Sequence, residues 1–162
     1  MQKYAKLLLQ KPGAVAILKG DPSHPALHGI VRFFQTEDGV LVVCEITGLP
    51  HDTGACNSKV FGFHIHEGSA CTGTPENPFE NTGSHYNPSD CAHPHHAGDL
   101  PPLFENHGIA FLAFLTDRFS VDAVLSKTVV IHSQPDDFVT QPAGNAGTKI
   151  ACGKIKRSFF AG

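Results

Sequence analysis

A chain of 162 residues, 17% charged and 41% hydrophobic, suffices for one domain with a core of its own and is too short for two comfortable ones. No run of about twenty apolar residues occurs, which excludes a transmembrane helix. A formal charge of -3 with no long basic run, the Lys154-Ile155-Lys156-Arg157 tail being too short, argues against nucleic acid and anionic membrane as partners. Eleven histidines, with His85, His93, His95, His96 and His107 crowded together, point to metal instead. The five cysteines leave at least one thiol free in a monomer.

Residues 1–13 read as an N-terminal extension ahead of a single domain over 14–162. The apolar run Leu7-Leu8-Leu9 is too short for the hydrophobic region of a signal peptide. The compartment stays open: cytoplasmic if the chain is complete, exported if a leader has been removed. Short β-rich runs bounded by turn residues then predict an all-β fold. The strands fall at Ala14–Lys19, Gly29–Gln35, Val40–Thr47, Val60–His66, Ile109–Leu115, Thr128–His132 and Lys149–Ile155, with one more nearby. Asp38-Gly39 supplies the positive φ of a tight hairpin and pairs the second strand with the third. Two segments lack periodicity, about forty residues between His66 and Ile109 and a shorter one from Ser133 to Thr148; irregular stretches of such length in a compact domain are functional or disordered, and the histidines favour function.

In Phe63-His64-Ile65-His66 the imidazoles stand at i and i+2 of a strand, so both leave one face while Phe63 and Ile65 enter the other. His-x-His alone is a weak signal. Downstream, His85, His93, His95, His96 and Asp99 lie close together, and three imidazoles with one carboxylate would satisfy a closed, structural zinc site. Zinc there would order a loop that lacks regular backbone hydrogen bonds.

Five motifs in order, His64-Ile65-His66-Glu67-Gly68, Gly83-Ser84-His85-Tyr86-Asn87-Pro88, His96-Ala97-Gly98-Asp99-Leu100, Val129-Val130-Ile131-His132 with Pro135-Asp136-Asp137, and Gly144-Asn145-Ala146-Gly147-Thr148-Lys149-Ile150-Ala151-Cys152-Gly153, resemble the bacterial type of copper/zinc superoxide dismutase. The resemblance covers nearly the whole chain after the first strand. It implies an eight-stranded Greek-key β-barrel or sandwich with long metal-binding and electrostatic loops. It implies that His64, His66, His85 and His132 hold copper and that His85, His93, His96 and Asp99 hold zinc, with His85 shared. Asp136 falls at the carboxylate that orients one histidine of each metal, and Cys71 and Cys152 at the disulfide that anchors the metal loop to the last strand. The implied reaction is dismutation of superoxide by copper cycling between two oxidation states, with His85 and Lys149 as the catalytic residues. The resemblance leaves monomer and homodimer both open.

The chain departs from the family pattern in two places. Lys149 stands where the family carries an arginine, which keeps the charge and loses the planar fork. The zinc loop is short, with His93 and His96 three residues apart, so His95 and Cys91 remain as reserve ligands. Cys56 and Cys91 are left as either a second bridge or two free thiols, and Cys44 reads as a small buried hydrophobe. His24, His28, His51 and His107 read as solvated loop residues. A copper- and zinc-binding protein of little activity is the alternative function, motivated by Lys149 and the short loops. A zinc hydrolase fits less well, because the implied zinc site is fully ligated and no Glu is placed as its base.

Overall fold

The computed structural model of the chain describes residues 3–54, 56 and 59–158. After a short helix, α1 (Lys3–Leu7), the strands are β1 (Ala14–Gly20), β2 (His28–Thr36), β3 (Gly39–Thr47), β4 (Val60–Phe61), β5 (Phe63–His66), β6 (Leu103–Phe104), β7 (Ala110–Thr116), β8 (Thr128–His132) and β9 (Lys149–Arg157). Seven form one antiparallel sheet in the order β5-β8-β9-β1-β2-β3-β7, and β4 pairs with β6. The sheet curls into a half-barrel, and the chain crosses from β3 to β5 at its far edge and from β7 back to β8, as a Greek key requires.

Alternation explains the packing. Along β1, Ala14, Ala16 and Leu18 face inward while Val15, Ile17 and Lys19 face out. The inward set joins Phe33, Ile46, Phe61, Phe63, Ile65, Ile131 and Ile155 in one continuous core. Each of the leucine, isoleucine and phenylalanine side chains contributes about 1.5–3 kcal/mol on burial. The hairpin expected at Asp38-Gly39 joins β2 and β3, and the positive φ falls on Gly39 (130°), where a Cβ would lie 2.4 Å from the Thr116 carbonyl oxygen.

The expected eight strands appear among the described residues as nine segments, because the strand over 60–66 divides at Gly62. Physically, the chain changes hydrogen-bond partner there. Val60 and Phe61 pair with β6, Phe63 to His66 pair with β8, and Gly62 itself bonds Gln134 and His132. A short helical turn, α2 (Val121–Val124), follows β7 and is capped by the Ser120 hydroxyl. His28 lies on β2 rather than in a loop. Residues 3–13 rest on the outer face of the β2–β3 hairpin, where Tyr4 donates to Asp38 and Leu7 covers Phe34, Leu41 and Val43.

Both irregular segments are laid against the sheet. Ile65 donates its N–H to Gly98 and accepts from Tyr86, and Leu100 donates to Phe63, so the loop after β5 returns along the edge of that strand opposite β8. The disulfide Cys71–Cys152 joins this loop to β9 across 81 residues. Cys44, Cys56 and Cys91 are free thiols, so Cys56 and Cys91 form no second bridge; Cys91 instead hydrogen-bonds within its own turn. Closing a loop of that length restrains the unfolded chain. Serine at both Cys71 and Cys152 should therefore lower the unfolding free energy by about 2–4 kcal/mol. An unchanged urea midpoint for the metal-loaded double variant would show that the closure contributes nothing.

Candidate metal centre

His64 and His66 project from one face of β5 while Phe63 and Ile65 enter the core on the other, as the i, i+2 spacing requires. His132 ends β8 directly beside them. The loop after β5 brings His85 back against His66 through an isolated bridge, and a second bridge sets Asp99 beside His64. The outcome is two buried groups, one of His64, His66, His85 and His132 and one of His85, His93, His96 and Asp99. Within each group the ligand-capable atoms lie within 4.8 Å of one another. His95 is exposed, and Cys91 is exposed and outside both groups, so neither reserve candidate takes part.

The partners of each ring decide which nitrogen is left over. Nδ1 of His66 is 2.8 Å from the Gly83 carbonyl oxygen and Nδ1 of His132 is 3.3 Å from that of Gly147. A carbonyl only accepts, so both Nδ1 atoms carry the proton and both Nε2 atoms present lone pairs. Those lone pairs face each other at 3.1 Å, an arrangement that a cation between them would relieve. His64 and His93 place Nε2 on opposite oxygens of Asp136, at 2.7 and 2.9 Å. Asp136 thereby ties one histidine of each group. His85 Nδ1 meets Asp99 Oδ1 at 2.7 Å. The atoms that remain buried without a hydrogen-bond partner include His64 Nδ1, His85 Nε2, His93 Nδ1 and His96 Nδ1. Nδ1 of His93 lies 3.0 Å from Asp99 Oδ2 and that of His96 3.3 Å from it, yet neither is aligned as a hydrogen bond. Buried polar atoms rarely lack partners. Four imidazole nitrogens in one group, and three imidazoles with a carboxylate in the other, are donor sets that suit copper and zinc.

Burial pushes the His66 imidazolium well below its usual range and that of His132 down to about 3, with the neighbouring histidines adding repulsion. Burial would raise Asp136, but hydrogen bonds from His64, the Phe138 N–H and His93 hold it below the usual carboxylate range. Gly144 leaves room for that carboxylate: its φ is 65°, and a Cβ there would sit 2.0 Å from Asp136 Oδ1.

Lys149, near the start of β9, lies on the wall of an open cleft of about 520 Å³ together with His66, His85 and His132. Glu67 and Asp90 line the same cleft. Its ammonium contacts Thr82 Oγ1 at 2.8 Å and the carbonyl oxygens of Gly83 at 2.9 Å and Phe79 at 3.5 Å, and burial lowers its pKa.

A sequence profile described as copper/zinc superoxide dismutase matches residues 27–155. The chain belongs to the copper/zinc superoxide dismutase family. Among its relatives in that family is superoxide dismutase [Cu-Zn] 2 of Aquifex aeolicus, 35% identical over 79% of this chain and 78% of the relative. The superoxide dismutase [Cu-Zn] of Deinococcus radiodurans is 33% identical over 77% of this chain and 75% of its own. That of Legionella pneumophila is 33% identical over 82% and 80%.

One residue that the motifs did not reveal supports the loop that carries His96 and Asp99. Arg118, between β7 and α2, donates one guanidinium nitrogen to the carbonyl oxygens of Pro94, His96 and Asp99 at 3.1–3.3 Å. Nothing local marks it, since an arginine in a turn is ordinarily a solvated charge and its partners lie about twenty residues upstream.

The depressed histidines determine how the metal-free protein responds to acid. An unfolded histidine takes a proton near pH 6.5, whereas folded His132 resists it down to about 3, so the unfolded state binds more protons across that window. Stability of the metal-free protein should therefore be free of this penalty above pH 6.5 and fall as pH drops below it. A urea midpoint of the chelator-treated protein that is equal at pH 7.5 and pH 5 would contradict the burial of these rings in neutral form.

Proposed function

We propose that this chain converts two superoxide ions and two protons to dioxygen and hydrogen peroxide, holding copper with His64, His66, His85 and His132 and zinc with His85, His93, His96 and Asp99. The observation that carries this reading is His85, whose Nδ1 lies with the Asp99 group while its buried, partnerless Nε2 lies with the all-histidine group. Bound copper supplies the one-electron oxidation and reduction of superoxide, and zinc, which has no redox change, supplies a fixed positive charge at Asp99 and the loop. Every other task falls to the chain.

Asp136 sets the ring planes of His64 and His93 from behind, the orienting role that carboxylates play for ligand histidines. The carbonyl groups of Gly83 and Gly147 fix the tautomers of His66 and His132 so that Nε2 is the donor atom in both. No protein group claims His85 Nε2, so whenever that nitrogen is not ligating a metal it can hold a proton beside the reacting anion. Lys149 is the positive side chain on the cleft wall, and with Glu67 and Asp90 on that wall and a net charge of -3 it supplies the local attraction for superoxide. The Cys71–Cys152 disulfide favours an oxidising compartment over a reducing cytoplasm. Among the described residues no helix is long and apolar enough to cross a membrane.

Metal analysis of the purified protein together with a superoxide-consumption assay tests the reading. Copper and zinc in equal amounts per chain with copper-dependent turnover is the expected result, and metal-loaded protein without turnover would favour the metal-binding alternative. His85→Ala should weaken both metals, by at least about tenfold in affinity, and should alter the copper electron paramagnetic resonance spectrum. Unchanged spectrum and activity would remove His85 from its shared position.

Lys149→Ala should slow superoxide capture about tenfold and flatten its dependence on ionic strength. Lys149→Arg should be faster than the parent with the same salt dependence. Guanidinium carries five donors where ammonium carries three, so it can engage the loop and still present a parallel pair to a diatomic anion. If Lys149→Ala proves as fast as the parent, Lys149 lies outside the anion's path.

A further inference from the structure

An ammonium group has three N–H donors and no acceptor, and on a flexible four-carbon stem it goes where its acceptors hold it. The acceptors around Lys149 all come from one tight turn, Phe79 to Gly83, in the loop that the disulfide ties to β9. They differ in quality. The Phe79 carbonyl is distant at 3.5 Å, and the Gly83 carbonyl is shared, since it also accepts from His66 Nδ1 at 2.8 Å. The Thr82 hydroxyl is fully buried, spends its single proton on the Phe79 carbonyl at 2.8 Å, and so turns a lone pair toward the Lys149 ammonium at 2.8 Å. It is the one short acceptor that no other donor claims. The neighbouring Glu80 is the carboxylate whose charge acts on Lys149. Glu80 and Lys149 also line a second pocket, one that includes none of His66, His85 and His132, so a lysine not held by Thr82 has a carboxylate there to pair with instead of facing the cleft.

We propose that Thr82 is a positioning residue for Lys149, its hydroxyl oxygen fixing the ammonium on the wall of the histidine-lined cleft so that the charge faces an incoming small anion. This rests on the reading of Lys149 as the anion-attracting charge. With all three protons directed at the turn, Lys149 acts through its charge and location rather than by donating a hydrogen bond to the anion. Thr82 is therefore a determinant of anion capture that contacts neither anion nor metal.

The test uses the copper- and zinc-loaded protein and two readouts, the second-order rate with superoxide and the affinity for azide, a small monovalent anion whose binding is read from the copper absorption spectrum. Thr82→Val keeps the shape and removes the acceptor. It should lower both quantities roughly three- to tenfold, the scale on which one oriented charge changes anion capture. Thr82→Ser, which restores the oxygen, should recover both. In a Lys149→Ala background Thr82→Val should cause no further loss, because the group it positions is gone. Equal losses in the two backgrounds, or a Thr82→Val protein with parental azide affinity, would overturn the proposal while leaving the family reading intact. Failure of Ser to rescue would likewise show that the turn needs threonine for packing and not for its oxygen. A parent that bound copper and azide with no dependence on Lys149 would instead overturn the reading of Lys149, and Thr82 with it.

Discussion

Asp136 reaches back from the second irregular loop and places one oxygen on His64 and the other on His93, so a single carboxylate spans the two buried histidine groups. The rest of the centre depends on this tie. His64 stands on rigid β5 and His93 on an irregular loop, and a shared anion is what holds a loop residue to strand precision. The carboxylate also fixes which nitrogen of each ring is left free. Those free atoms, with Nε2 of His66 and His132, leave lone pairs directed into a protein interior that elsewhere satisfies its polar groups. The fold thus carries an electrostatic debt that cations discharge, and metal binding becomes part of the folding free energy.

The same economy governs the open side of the cleft. Gly83 gives one carbonyl oxygen to two donors, the His66 ring inside and the Lys149 ammonium at the rim, so one peptide group links the orientation of His66 to the turn that holds Lys149. Phe79 and Cys71 pack with Cys152 and Val130 beneath this turn, and the disulfide holds it against β9. The turn offers the ammonium three acceptors, at 2.8, 2.9 and 3.5 Å. Farther along the same loop Arg118 is the donor, and its guanidinium gathers the carbonyl oxygens of Pro94, His96 and Asp99.

Much of this was legible from residue order because its causes are local. Alternation of apolar and polar residues marks strands whatever the rest of the chain does, and His64-Ile65-His66 forces two imidazoles to one side of β5 by the pleat alone. The motifs around His85, His96 and Asp99 and around Cys152 carried the family resemblance and, with it, the two groups and the disulfide. The choice of His93 and His96 over His95 came from register with those motifs. In the structure the separation is one of burial: His93 and His96 are enclosed, and His95 faces solvent.

Other features depend on contacts between residues distant in sequence, which periodicity does not encode. The break at Gly62 exists because β4 and β5 answer to different partners, β6 and β8, and a partner is not a property of the strand itself. Cys56 and Cys91 could pair on paper, and their placement leaves both as thiols. Arg118 and Thr82 look like a surface charge and a loop hydroxyl until the loops close over them. The sequence by itself determined the strands, the histidine-bearing face of β5 and the family to which the chain belongs, since short-range pattern and motif suffice for these. Only the tertiary structure decided which nitrogen of each imidazole is left without a partner and which groups hold Lys149 at the cleft, because hydrogen bonding of buried polar atoms is settled by three-dimensional proximity.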